Sequence, residues 1–157
     1  MSHEFVLASD LGSGGCKTVI LDGQGRLVAS ASAEYPTHYP QPGWVEQNPD
    51  DWWTAFAATT RRVLASAGLA SAKIEAVGLV GVTHNTVLLD AHDRPVRPCI
   101  LTFDSRSQTQ CRQILERWGD AVFDQSLNGV SPLWSLPQLL WIKQHEPETW
   151  GLVRRLL

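Results

Sequence analysis

Residues 5–22 read FVLASDLGSGGCKTVILD. An apolar run over residues 5–8 and a second over residues 18–22 lie on either side of the glycine-rich segment 12–15. Apolar runs bounded by glycines predict two strands joined by a tight turn. A second glycine turn leads to a third strand that starts at Leu27. Because parallel neighbours need a longer crossover, these short connections predict an antiparallel meander.

The rest of the chain carries both helix and strand signals. Residues 49–67 open with Pro and two Asp and repeat apolar residues at helical spacing up to Gly68, which predicts a helix with a glycine cap. Residues 74–82 are nearly all apolar and predict a strand buried on both faces. Residues 86–90 and 98–101 predict two shorter strands.

Two further helices are predicted in the second half of the chain. Asp104 is expected to cap a helix with an apolar stripe over residues 111–118, and Gly119 is expected to end it. Ser135 is expected to cap a last helix that closes before Pro147. The order of elements indicates an α/β fold with a mixed sheet and helices.

Length and composition narrow the class of protein. The 157 residues are 43% hydrophobic and 18% charged, with a formal net charge of −3. The length suits one domain over residues 1–157, and the apolar fraction excludes a disordered chain. The mild acidity argues against a nucleic-acid partner, which needs a basic surface. No apolar run approaches the roughly 18 residues of a membrane span, so no membrane partner is expected.

Cysteine content and the end of the chain add two expectations. The three cysteines form no CxxC pair, which predicts reduced thiols in a cytoplasmic protein rather than a disulfide framework or a zinc site. Residues 152–157 begin another apolar element where the sequence stops. We therefore expect a truncated domain with exposed apolar surface at this end, and self-association of the chain.

The first candidate site is the segment from Asp10 to Lys17. Glycines let backbone N–H groups approach phosphate oxygens, and such turns form anion-binding nests. Asp10 can hold Mg²⁺ through water, because this ion needs few protein carboxylates. The candidate phosphate-binding residues are Gly12, Ser13, Gly14 and Lys17. The alternative is a plain hairpin turn, since the segment matches neither a Walker loop nor a Rossmann fingerprint.

Two further candidates follow predicted strands. His84 stands at the end of the strand over residues 74–82, where open α/β sheets place ligands, and could bond a substrate hydroxyl. The alternative is a loop histidine bonded to backbone. Asp104 and Arg106 stand at a strand-to-helix junction and could reach a polyol. Helix capping by Asp104 is the alternative there, and the two roles are compatible.

Five segments in this order resemble the N-terminal part of the FGGY carbohydrate kinases, and within that family the xylulokinases. They are DLGS at residues 10–13 with Lys17, GWVEQNP at 43–49 with Asp51 and two Trp, residues 78–84 with LLD at 88–90, Asp104 with Arg106, and PQLLWIKQHEP at 137–147. The resemblance implies the actin-like, ribonuclease-H-like ATPase fold. It also implies an ATP-dependent kinase whose sugar and ATP meet in a cleft between two such domains.

The resemblance implies roles for these residues. Asp10 and the turn at Gly12 and Ser13 would face Mg²⁺ and the ATP phosphates. The sugar, a ketopentose such as xylulose, would lie near Trp44, His84, Asp104 and Arg106. Ser13 replaces the Thr that is usual in the family and keeps the hydroxyl. Residues 82–85 read VTHN where xylulokinases resemble Gln-Met-His-Gly, and glycerol kinases resemble Arg-Glu here, which speaks against glycerol.

One catalytic group of the family is missing from this sequence. Phosphoryl transfer needs a carboxylate that accepts the hydroxyl proton, and in the family it lies in a Gly-Gly-Asp loop. These 157 residues contain no Gly-Gly-Asp. We expect no catalytic base in this chain and no kinase turnover by it alone, with the missing kinase lobe as its partner in cis or in trans.

Two alternatives remain open at this stage. The chain could be a non-catalytic sugar-binding module or the remnant of a kinase, which would bind sugar but not ATP. A ribonuclease-H-like nuclease would need several carboxylates around two metal ions. The strand end over residues 80–85 has none, so the sequence disfavours the nuclease.

Overall fold

The computed structural model describes residues 5–157. The strands are β1 (Phe5–Leu11), β2 (Gly15–Asp22), β3 (Leu27–Glu34), β4 (Glu46–Gln47), β5 (Ile74–Gly81), β6 (Leu88–Leu89), β7 (Cys99–Ile100) and β8 (Arg155–Leu156). The helices are α1 (Pro49–Ala67), α2 (Gln108–Trp118), α3 (Ala121–Ser126), α4 (Ser135–His145) and α5 (Pro147–Leu152), with a 3-10 helix at Ser71–Lys73. The chain divides into two compact units. The first runs to Pro36 and resumes over Asp50–Val82, and the second comprises Thr37–Pro49 and Thr83–Leu157.

The first unit is built on a four-stranded mixed sheet in the order β3-β2-β1-β5. β1 pairs antiparallel with β2, and β2 pairs antiparallel with β3, so the predicted meander is confirmed. β5 joins β1 in parallel after the α1 crossover. The sheet therefore places the β1–β2 turn at the same end as the carboxyl end of β5.

Helix α1 covers one face of this sheet. Alternate residues of the central strands, Leu7 of β1 and Ile20 of β2, are buried against Val63 of α1. The helix begins at Pro49 and is followed by Gly68, which has a φ of 64°. Both predicted ends of this helix are confirmed, because a proline with its fixed φ starts a helix well and a left-handed glycine stops it.

The prediction that β5 is buried on both faces is wrong. From Glu75 onward the strand is exposed, and Val77, Leu79 and Val80 expose 57%, 63% and 61% of their surface. β5 is an edge strand of the sheet, whereas α1 packs over the central strands. An apolar edge strand and an apolar central strand have the same composition, so composition could not distinguish them.

The second unit has two small two-stranded sheets and the helices α2 to α5. β4 pairs with β7, and β6 pairs with β8, both antiparallel. The two predicted strands here shorten to β6 and β7. The core of this unit contains Leu88, Ile100, Trp141 and Ile142.

Both predicted side-chain caps in this unit are wrong, although both helices form. α2 begins at Gln108, so its N-cap residue is Ser107 and not Asp104. α4 begins at Ser135 itself, with Trp134 in the N-cap position. The segment before α2 first makes a turn in which the Asp104 N–H donates to the Leu101 carbonyl at 3.0 Å, and this turn delays the helix.

The cysteines and the last residues agree with their predictions. Cys16, Cys99 and Cys111 are buried free thiols, and burial raises the pKa of Cys99 to about 12. Leu152 and Leu157 expose 58% and 71% of their surface. The predicted apolar surface at this end is therefore present.

Candidate functional site

The glycine-rich segment forms the tight turn between β1 and β2. Leu11 pairs with Cys16 across the two strands, and the Gly12 N–H donates to the Gly15 carbonyl at 3.0 Å. The hairpin interpretation therefore describes the local structure. It leaves the phosphate role open, because a hairpin turn can present backbone N–H groups to an anion.

The glycines of this turn differ in the space that a side chain would have at each position. A Cβ on Gly15 would lie 2.7 Å from the backbone oxygen of Ala33 in β3, so this position needs glycine for strand packing. A Cβ on Gly14 would meet nothing within 4 Å, and one on Gly12 would make only an ordinary contact of 3.6 Å. Neither Gly12 nor Gly14 has a positive φ. Neither packing nor backbone conformation accounts for these two glycines.

Two exposed charged residues stand beside the turn on the sheet face opposite α1. Asp10 of β1 and Lys17 of β2 are directly opposite each other in the strand register. Within residues 5–157 neither forms an ion pair. They line a cavity of about 360 Å³ together with residues of β5 that include Gly78 and Val80. The first unit therefore places Asp10 and Lys17 on one open face, at the ends of the two strands that the turn at residues 12–14 joins.

This donor set is compatible with Mg²⁺ and unsuited to a metal cage. Among residues 5–157 there is no group of three or more His, Cys, Asp and Glu side chains that could hold a metal ion. Mg²⁺ keeps several waters and binds through one or two carboxylates together with substrate phosphates. One exposed carboxylate, Asp10, beside an open glycine turn fits a metal ion that arrives with a phosphate chain.

His84 lies in the second unit, in the loop that follows β5. Its φ of 61° is a left-handed conformation that is uncommon for a residue with a side chain. The imidazole makes a T-shaped contact with Trp134, with the ring centroids 4.3 Å apart. Trp134 is itself fixed, since its Nε1 donates to the Gly129 carbonyl at 2.9 Å. An unusual backbone at a candidate site points toward function.

The other three predicted sugar residues, Trp44, Asp104 and Arg106, form a cluster in which Trp44 is partly buried. The side chains of Asp104 and Arg106 are each 1% exposed and make an ion pair of 2.8 Å. The Arg106 guanidinium lies 3.9 Å from the centre of the Trp44 ring, and its Nη1 lies 2.7 Å from Glu46 Oε1. Asp104 also accepts the Val45 N–H at 2.6 Å. The cluster thus ties the loop before β4 to the loop before α2.

A second arginine completes this cluster. Arg97 Nη2 lies 2.5 Å from Glu46 Oε1, and Arg97 Nε lies 3.3 Å from Glu146 Oε2. Glu46 therefore bridges two arginines. Arg106 joins Asp104 through hydrogen bonds and Trp44 through its ring contact, whereas the ring contact of His84 is with Trp134.

Trp134, Glu46 and Arg97 also belong to these sites and were not predicted from the sequence. Trp134 could have been found from its place just before a predicted helix in a tryptophan-rich chain. Glu46 lies inside the quoted GWVEQNP segment, but its arginine partners are 51 and 60 residues away. Nothing in the local pattern indicates such distant pairs.

Residues 5–157 match the N-terminal domain of the FGGY family of carbohydrate kinases. The chain belongs to this family. It is 31% identical over 153 residues to a xylulose kinase from Lactococcus lactis, which covers 98% of the chain and 30% of that protein. It is 38% identical over 141 residues to a glycerol kinase from Delftia acidovorans, which covers 88% of the chain and 28% of that protein.

Solved structures agree with this family assignment. A xyloylose kinase from Brucella ovis superposes with a TM-score of 0.90 and 33% identity, covering 98% of the chain and 32% of that structure. The chain has the actin-like ATPase fold of these sugar kinases, so the predicted fold and resemblance are confirmed. The chain spans about 30% of the length of the curated relatives it matches. No helix among residues 5–157 is long and apolar enough to cross a membrane.

Proposed function

We propose that this FGGY chain supplies the phosphate turn and part of the sugar site of a kinase that transfers the γ-phosphate of ATP to a sugar hydroxyl. The observation that carries the proposal is the open turn at Gly12 and Gly14 beside Asp10 and Lys17. Two glycines that neither packing nor φ explains are accounted for if phosphate oxygens approach the backbone there.

Each candidate site residue of the first unit has a separate role in this proposal. The backbone N–H groups of residues 13 and 14 and the Ser13 hydroxyl donate to phosphate oxygens, and Lys17 adds a positive charge. The Gly12 N–H closes the turn by donating to the Gly15 carbonyl. Asp10 holds Mg²⁺ through water. The metal ion, when bound, neutralises charge on the transferred phosphate. Lys17 and Asp10 flank the turn from adjacent strands, so the sheet register fixes their spacing.

The second unit supplies the sugar contacts. His84 is exposed and held by Trp134, so its imidazole is available to a sugar hydroxyl. Trp44, Asp104 and Arg106 act on the sugar indirectly by fixing the surrounding loops. The side chain of Asn85 accepts the Thr102 N–H at 3.2 Å, which links the His84 loop to the segment after β7. We propose a ketopentose such as xylulose as the sugar, a choice supported by the similarity of the chain to proteins named xylulose kinase.

The catalytic base is proposed to lie in the remaining kinase polypeptide, which acts as the partner in cis or in trans. No Gly-Gly-Asp occurs in the sequence, so the isolated chain should not turn over ATP and sugar. The substrates and the buried reduced thiols are typical of a cytoplasmic enzyme. The exposed leucines at 152 and 157 and the exposed β5 are the surfaces proposed for self-association of the chain.

The phosphate proposal is tested by titrating the chain with magnesium pyrophosphate while following its backbone amide signals by NMR. We expect shifts at residues 12–14. Gly14→Ala should weaken binding by about tenfold or more, the worth of one hydrogen bond to a charged group. Gly151→Ala is the matched control, because its Cβ also meets nothing within 4 Å. Equal affinity for Gly14→Ala and the unchanged chain would contradict the proposal.

The sugar proposal is tested by calorimetric titration with xylulose. His84→Ala should weaken binding by about tenfold, since a hydrogen bond to the sugar is lost. Trp53→Phe serves as control because Trp53 is 69% exposed and lies in the first unit. Sugar binding without pyrophosphate binding would favour the non-catalytic module. Sustained phosphorylation of xylulose by the isolated chain would refute the expected absence of a base.

A further inference from the structure

Tyr35 lies directly after β3 and reaches under the phosphate turn. Its residue surface is only 7% exposed, and its ring packs in a buried cluster with Cys16 of β2 and Ala55 of α1. The hydroxyl donates to the Gly12 carbonyl and lies 3.1 Å from the Gly15 carbonyl. This single side chain therefore contacts both ends of the four-residue turn.

The backbone of Tyr35 adds a third contact to the turn. Its N–H donates to the Gly14 carbonyl at 3.4 Å. Tyr35 thus contacts three of the four turn carbonyls: its N–H donates to Gly14, and the single proton of its hydroxyl is directed to Gly12, with the Gly15 carbonyl also within hydrogen-bond distance. All three contacts lie within the first unit.

Because the peptide bond is planar, these contacts also determine which way the N–H groups of the turn point. A trans peptide is planar, and its N–H points opposite to its C=O. Because the Gly12 carbonyl points to the Tyr35 hydroxyl, the N–H of Ser13 in the same peptide plane points away from Tyr35. Without the hydroxyl, this peptide plane could rotate more easily, because Gly12 on one side of it has the widest choice of φ and ψ.

We propose that Tyr35 is a positioning residue for the phosphate turn, holding the carbonyls on the protein side so that the Ser13 N–H is presented to phosphate oxygens. The inference rests on the proposed phosphate role of the turn. It assigns the hydroxyl a task that ring packing alone does not need, because a phenylalanine would fill the same cluster.

The protonation state of Tyr35 is consistent with this task. Burial raises its pKa to about 12, with smaller contributions from Cys16 and Asp10. The hydroxyl therefore keeps its proton at any pH near neutrality and remains a donor to the turn.

The test compares Tyr35→Phe with Tyr39→Phe, since Tyr39 is 71% exposed and belongs to the second unit. Three quantities are measured on each chain: the affinity for magnesium pyrophosphate, the hydrogen exchange rate of the Gly12 amide, and the melting temperature. Tyr35→Phe should weaken pyrophosphate binding by about three- to tenfold, the worth of one hydrogen bond, and speed exchange of the Gly12 amide. Tyr39→Phe should change none of the three quantities.

The outcomes separate this inference from the proposed function. If the unchanged chain binds pyrophosphate and Tyr35→Phe binds it equally well, the positioning role is overturned while the phosphate turn stands. A lower melting temperature with unchanged affinity likewise shows a packing role only and overturns it. If the unchanged chain shows no shifts at residues 12–14, the phosphate role itself fails, and the inference fails with it.

Discussion

The glycine turn of the first unit exposes its neighbouring charged side chains, whereas the second unit buries its own. The buried charges form the arginine cluster of Glu46, Arg97, Asp104 and Arg106. At the turn, Asp10 and Lys17 are exposed and unpaired among the described residues, beside glycines with open space above them. In the cluster, the Asp104 and Arg106 side chains are 1% exposed and paired with each other. The sequence offered all four as candidate ligand residues.

The difference separates residues that can meet a ligand from residues that hold a loop. A buried, paired charge directs most of its hydrogen bonds inside the protein, as Asp104 and Arg106 do, although the buried Nη1 of Arg106 lies near Glu46 without making a hydrogen bond among the described residues. An exposed charge beside an open backbone keeps its hydrogen bonds for a ligand. A motif that marks a family therefore contains both kinds of residue. The burial of the side chain, more than its chemical type, distinguishes them.

The largest expected effect is on the buried cluster. Arg106→Ala should lower the free energy of unfolding by about 3–5 kcal/mol, because it leaves Asp104 buried without its cationic partner and removes one of the two arginines that Glu46 bridges. The measurement is denaturant unfolding followed by circular dichroism. Arg155→Ala is the control, since its ion pair with Asp93 is exposed and should matter little.

A conservative variant guards against failure to fold. Arg106→Lys keeps the charge but loses the forked geometry, so it should destabilise less than Arg106→Ala. If Arg106→Lys is as stable as the unchanged chain but loses xylulose affinity, Arg106 contacts the sugar directly. That result would break the contrast drawn between the two regions.

The second largest expected effect is on the stability of the turn, and it differs between Gly15 and Gly14. Gly15→Ala should lower the free energy of unfolding by about 1–3 kcal/mol, because its Cβ would push against the Ala33 backbone oxygen at 2.7 Å. Gly14→Ala should leave the stability nearly unchanged and affect phosphate binding alone. The measurement is again denaturant unfolding of both variants. Equal loss of stability in the two would mean that the turn is simply a packed hairpin.

Much of the fold could be predicted where the signals are local. The meander follows from short glycine turns between apolar runs, and α1 follows from Pro49 at its start and Gly68 after its end. The exposure of β5 could not be predicted, because its position at the sheet edge depends on strands that are far apart in sequence. The delayed start of α2 depends on a preceding turn that uses the same residue types as a cap.

The site could be predicted only as residue types near strand ends. The turn, Asp10 and Lys17 were found because glycine and charge lie within eight residues of each other. Tyr35 contacts Gly12 across 23 residues, and Asp104 contacts Val45 across 59. Such pairs depend on tertiary packing. The sequence therefore indicated Asp104 as a candidate residue but not its hydrogen bond with Val45.

The smallest expected effect concerns Asp22, a carboxylate of the first unit that forms an ion pair with Arg26. Asp22, at the end of β2, accepts the backbone N–H of Arg26 and of Gln24. The hydrogen bond from the Arg26 backbone lowers the Asp22 pKa below its ordinary value of 3.8, helped by the Arg26 side chain and opposed by slight desolvation. The folded chain therefore favours the ionised form.

This sign fixes the pH dependence. Above pH 3.8 the carboxylate is ionised in both the folded and the unfolded chain, and its contribution to stability is fully present. As the pH falls through the lower folded pKa, the contribution is lost. Asp22→Asn should therefore be less stable than the unchanged chain near neutral pH, and the gap should narrow below pH 3.8. Urea unfolding at a series of pH values measures the gap, and a gap that stays constant would mean that the side chain acts only through its shape.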